Sequence, residues 1–87
     1  MTFGMKKKGY SLYYLCEGAI RVSQKGYRIL TITSCREISK TTYYKLPCPR
    51  FNRVFDPNVD REIHGFGEKV MLDTLEKFER QEGAANA

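Results

Sequence analysis

No run of apolar residues in this chain approaches the roughly 18 needed to cross a bilayer as a helix, so membrane spanning by helices is excluded. The Lys6-Lys7-Lys8 cluster is followed by GYSLYYLCEG, too short and too polar for the apolar core of a secretion signal. Cysteine occurs three times, as Cys16, Cys35 and Cys48, and an odd count in a short chain argues against a disulfide framework. Together these shortages predict a cytoplasmic protein with reduced thiols and no membrane partner. The chain also has no internal repeat and no low-complexity segment.

Recognisable chemistry is equally scarce. His64 is the only histidine, and no C-x₂-C pair exists. Cys16, Cys35, Cys48 and His64 stand 19, 13 and 16 residues apart, a poor spacing for a Cys₃His zinc site, and the cysteines read as small apolar fillers. A Cys48/His64 nucleophilic pair lacks a helix N-terminus to activate the thiol and any visible oxyanion hole. Asp56, Asp60 and Glu62 do not follow the spacing of a calcium loop. Gly65 and Gly67 in HGFGEK mark a tight turn into a helix rather than a phosphate cradle, which would need a buried strand before it. The expectation is therefore a non-enzymatic protein with no metal and no cofactor.

What the chain does have is charge, tyrosine and alternation. Its 87 residues amount to one small domain with a thin stability margin. Residues 10–82 read as a single α+β domain, preceded by a basic flexible arm over 1–9 and followed by a frayed tail over 83–87. Tyr10, Leu12, Tyr14 and Cys16 alternate as one face of a strand, with a turn expected at Glu17-Gly18. AIRVS and YRILTITS form a hairpin turning at Gln24-Lys25-Gly26, with Leu30 and Ile32 facing the core and Arg28 at the open end of that face. A further strand is expected over Thr41–Leu46, stopped by Pro47 and Pro49, and a short one over Phe51–Phe55 within an otherwise irregular stretch. Met71, Thr74, Leu75 and Phe78 repeat at helical spacing, and Gly83 suits the position just past the helix end. The predicted fold is a small antiparallel sheet of three to four strands packed by one C-terminal α-helix.

Charge is divided along the chain. Residues 1–53 carry 11 Lys/Arg against 2 Asp/Glu, a net +9, whereas residues 54–87 carry 4 against 8, a net −4. Such asymmetry points to a partner of opposite sign for the basic half. Tyr10, Tyr13, Tyr14, Tyr27, Tyr43 and Tyr44 interleave with the cations of that half, so rings could stack on bases while cations neutralise phosphates. The candidate binding residues are Lys6, Lys7 and Lys8 in the arm and Arg21, Lys25 and Arg28 at the hairpin. Tyr27 is the stacking or anchoring ring, and Arg36, Lys40 and Lys45 extend the patch. Nucleic acid is the preferred ligand, although no known nucleic-acid-binding signature is present. The alternative is a small inhibitor or adaptor that docks on an acidic or nucleic-acid-binding protein surface, since Tyr and Arg also dominate protein hot spots. Exposed strand edges leave room for a homodimer.

Overall fold

A computed structural model of the chain describes residues 1–85, with side chains through Glu82. The elements are β1 (Thr2–Lys7), β2 (Tyr13–Val22), β3 (Arg28–Ile38), α1 (Lys40–Tyr44), β4 (Arg50–Arg53), β5 (Glu62–His64) and α2 (Lys69–Ala85). The strands form one mixed sheet in the order β4-β1-β2-β3-β5. The architecture is α+β, as expected, but the sheet has five strands, and β4 runs parallel to β1. No helix among the described residues is long and apolar enough to cross a membrane.

The two tight hairpins each rest on a glycine. Gly9 and Gly26 hold φ at 84° and 89°, values that an L side chain resists. Gly26 closes the predicted hairpin turn, where its N–H donates to the Ser23 carbonyl. The turn expected at Glu17-Gly18 is not a turn. β2 runs straight through it, and the register against β3 slips there in a β-bulge. A Cβ on Gly18 would stand 2.6 Å from the Thr31 carbonyl oxygen, so close backbone approach explains this glycine.

The expected basic arm is instead strand β1. Phe3 and Met5 alternate into the core and are fully buried, and their burial orders a segment whose lysines suggest solvent. A second correction concerns Thr41–Leu46, expected as a strand because Thr and Tyr favour strands. Lys40–Tyr44 is the short helix α1, capped by Ser39, whose Oγ accepts the Thr42 N–H at 3.1 Å. Five residues cannot sustain a helix alone, so tertiary packing of Tyr43 holds it. The stretch after Pro49 supplies β4 and the three-residue β5. Helix α2 continues past Gly83, which is therefore not its terminal cap. Of the tail expected over 83–87, residues 86–87 lie outside the described residues.

The sheet has two dressed faces. Phe3, Met5, Tyr14, Cys16, Leu30, Ile32 and Ile63 line the first, where Met71, Leu72 and Leu75 of α2 and Phe55 of the β4–β5 connection cover them. Each α2 side chain buried there contributes roughly 1.5–3 kcal/mol on transfer grounds. On the second face, α1 lies over one end of the sheet. The rings of Tyr13 and Tyr43 sit 5.0 Å apart. A Cβ on Gly4 would come within 3.0 Å of the Tyr43 ring and 2.9 Å of Leu46, so glycine is what lets α1 approach.

Candidate nucleic-acid interface

The ten candidate residues fall into two groups at opposite ends of the sheet. Lys6 lies in register with Tyr13, and Tyr13 with Ile38, at one end; Val22 and Arg28 are paired at the other. Strand rise places those ends roughly 30 Å apart.

At the hairpin end, acidic residues engage the cations. Arg28 occupies the predicted open end of the core face, but its guanidinium reaches Asp73 at 2.8 Å and Glu76 at 2.9 Å on α2. Its pKa rises further above the ordinary arginine value because it donates to Glu76 and then to Asp73. Arg21 pairs with Glu62 at 2.8 Å. Lys25 remains exposed at the turn, without an ion pair among the described residues. Tyr27 stands half-buried against His64 (5.9 Å) and Phe66 (5.4 Å), with Phe66 78% exposed. The expectation that Arg21 and Arg28 stand free to grip a ligand is thereby corrected: the second half of the chain folds its carboxylates onto them.

The other end is different. Lys6, Lys7, Lys8, Arg36, Lys40 and Lys45 have no ion pair among the described residues. The Lys6 ammonium lies 5.8 Å from the centre of the Tyr13 ring and donates to the Tyr10 carbonyl. Lys7 lies 4.5 Å over Tyr10. Arg36 shares the second face with Tyr13 and Lys6, one step along β3 from the Tyr13–Ile38 pair. Helix α1 brings Lys40 and Lys45 to the same end, with Tyr43 buried beneath them.

Three residues outside the candidate set complete this surface. Arg50 of β4 lies 5.9 Å from the Tyr44 ring and donates to the Tyr44 and Leu46 carbonyls. Tyr10 and Tyr44 are each more than half exposed. The signal for Arg50 was its place after two prolines, where a chain re-enters a sheet at its edge. Tyr10 and Tyr44 belong to the tyrosines that the sequence interleaves with cations, but the pairing of Tyr44 with Arg50 follows only from α1, which buries Tyr43 on the sheet and leaves Tyr44 exposed beside β4.

Other candidate chemistry disperses. Cys16 and Cys35 are neighbours, but Cys48 lines a separate cavity with Pro47 and Glu82, and His64 stacks with Tyr27. Asp60 accepts the Asp56 N–H and Asp56 accepts the Asn58 N–H, so these carboxylates shape their own loop. Gly65 donates to the Arg28 carbonyl at 2.7 Å and sits too close to it for a side chain, a packing role. The cavity beside Cys48, of about 480 Å³, carries Glu79 and Glu82 and no Lys or Arg in its lining, which disfavours an anionic occupant. No family model, curated protein or solved structure matches the chain.

Proposed function

We infer that this protein is a non-enzymatic module that binds nucleic acid at the β1–α1 end of its sheet. One observation carries the reading: Lys6, Lys7, Lys8, Arg36, Lys40, Lys45 and Arg50 gather there around two exposed tyrosine rings, without a carboxylate partner among the described residues. Uncancelled cations release counterions when they meet phosphates, and exposed rings offer sequence-tolerant stacking for bases. Tyr10 and Tyr44 are the stacking candidates, each already beneath a cation that would sit near the adjoining phosphate. Relative to the set read from the sequence, Arg21, Lys25, Tyr27 and Arg28 leave the interface, and Arg50, Tyr10 and Tyr44 join it.

A second reading draws support from the far end. The exposed Phe66 ring against Tyr27 and His64, beside a neutralised Arg21, suits a protein partner better than a phosphate chain. Fluorescence anisotropy with a labelled single-stranded oligonucleotide tests the first reading. Four to six phosphate contacts at the single-strand slope predict a loss of about 50- to 350-fold in affinity between 50 and 200 mM salt. Absence of binding at 50 mM salt, with one protein recovered stoichiometrically from nuclease-treated lysate, refutes it in favour of the inhibitor or adaptor.

A further inference from the structure

We propose that Cys16 and Cys35 form a reversible intramolecular disulfide, a modification site that links the two longest strands of the sheet. The residues face each other in the β2–β3 register, and their sulfur atoms lie 2.7 Å apart as free thiols. The type of cross-strand site follows from the neighbouring ladder. The Lys7 N–H donates to the Leu12 carbonyl and the Gly18 N–H to the Met1 carbonyl, so the even-numbered residues of β2 turn their backbone groups toward β1. Cys16 and Cys35 therefore oppose each other as a non-hydrogen-bonded pair, the arrangement in which facing side chains come closest. The two thiols need no backbone rearrangement to meet.

The pair is asymmetric, which sets the order of events. Cys16 is almost fully buried, and burial together with its contact to Cys35 pushes its thiol well above the ordinary range. Cys35 is half-buried and lines a cavity of about 310 Å³ with Pro57, Asn58 and Arg61, the last a cation in the same lining. A low-molecular-weight disulfide such as oxidised glutathione, which is anionic, supplies the oxidising equivalents. The Cys35 thiolate attacks one sulfur of that disulfide, breaking its S–S bond and releasing one small thiol. The Cys16 thiol then loses its proton, and its sulfur attacks the Cys35 sulfur of the mixed disulfide. The protein S–S bond forms and a second small thiol leaves. Two protein thiols are oxidised and one small disulfide is reduced.

An odd cysteine count excludes a framework but not one pair and a spare, and Cys48 is that spare. The experiment incubates the folded, full-length chain with oxidised glutathione, quenches with acid, denatures, alkylates and weighs the product. Reduced protein takes three alkyl groups. Oxidised protein is expected to take one, at Cys48, with a peptide map joining Cys16 to Cys35. A glutathione adduct on Cys35 should precede the closed bond. The Cys48→Ser variant, which leaves the pair untouched, should end as a monomer with no free thiol. Retention of all three alkylations, a covalent dimer, or a bridge to Cys48 overturns the proposal.

Discussion

Tyr43 is the side chain on which the second face of the sheet depends, and its removal should be costly. Its ring is 4% exposed, lies 5.0 Å from each of the Tyr13 and Tyr44 rings, and touches the backbone of β1 at Gly4. Its hydroxyl donates to the Phe51 carbonyl at 3.2 Å, tying α1 to β4. Tyr43→Phe keeps the ring and loses one hydrogen bond, a destabilisation of about 1 kcal/mol. Tyr43→Ala opens a cavity that glycine at position 4 cannot fill, and truncating a buried aromatic costs about 3–5 kcal/mol. A domain of this length holds on the order of 4–13 kcal/mol in total, so the alanine variant should be severely weakened or unfolded. Urea unfolding monitored by circular dichroism reads both changes as shifts in midpoint at nearly constant slope. A Tyr43→Ala variant that loses less than about 1 kcal/mol would refute the packing of α1 on the sheet, and with it the placement of Lys40 and Lys45.

Gly18→Ala should destabilise the chain by about 1–3 kcal/mol, because the new Cβ meets the Thr31 carbonyl at 2.6 Å and the backbone at the bulge must move; thermal unfolding checks this, and a neutral substitution contradicts the bulge geometry. Stability should also fall in acid. Lys69 and then Arg28 donate to Asp73 and hold its carboxyl below the ordinary value, so its contribution is present above the ordinary carboxylate pKa and is lost as pH drops through the lower folded value. Asp73→Asn should be less stable than the parent at neutral pH and converge with it at the acid end; parallel pH profiles would show that the contact with Arg28 does not persist.

The alternating apolar residues of β3 made that strand legible, and the spacing of Met71, Leu75 and Phe78 did the same for α2, whereas β2 was readable only in two pieces, because Glu17-Gly18 has the composition of a turn and Gly18 serves instead the close approach to Thr31. Three features were hidden for physical reasons. In β1 only Phe3 and Met5 carry the period of two, and three lysines mask it. In α1 the β-branched and aromatic residues favour a strand locally, and burial of Tyr43 overrides them. The fate of Arg28 was half legible: its place at the open end of the core face was readable, whereas the carboxylates that meet it there come from a helix 45 residues downstream. For that reason the chain-level charge split survives folding at one end of the sheet and is cancelled at the other.

The difference between those two ends is best tested by the salt dependence of oligonucleotide binding in two paired variants. Arg36→Ala with Lys40→Ala removes two exposed cations from the β1–α1 end, and Arg21→Ala with Lys25→Ala removes two from the hairpin. The first pair should weaken binding at 50 mM salt and reduce the slope of log affinity against log salt by roughly 1.5 for single-stranded nucleic acid, while the second leaves the slope unchanged. Equal effects from both pairs, or a larger loss from the hairpin pair, would contradict the location assigned to the interface.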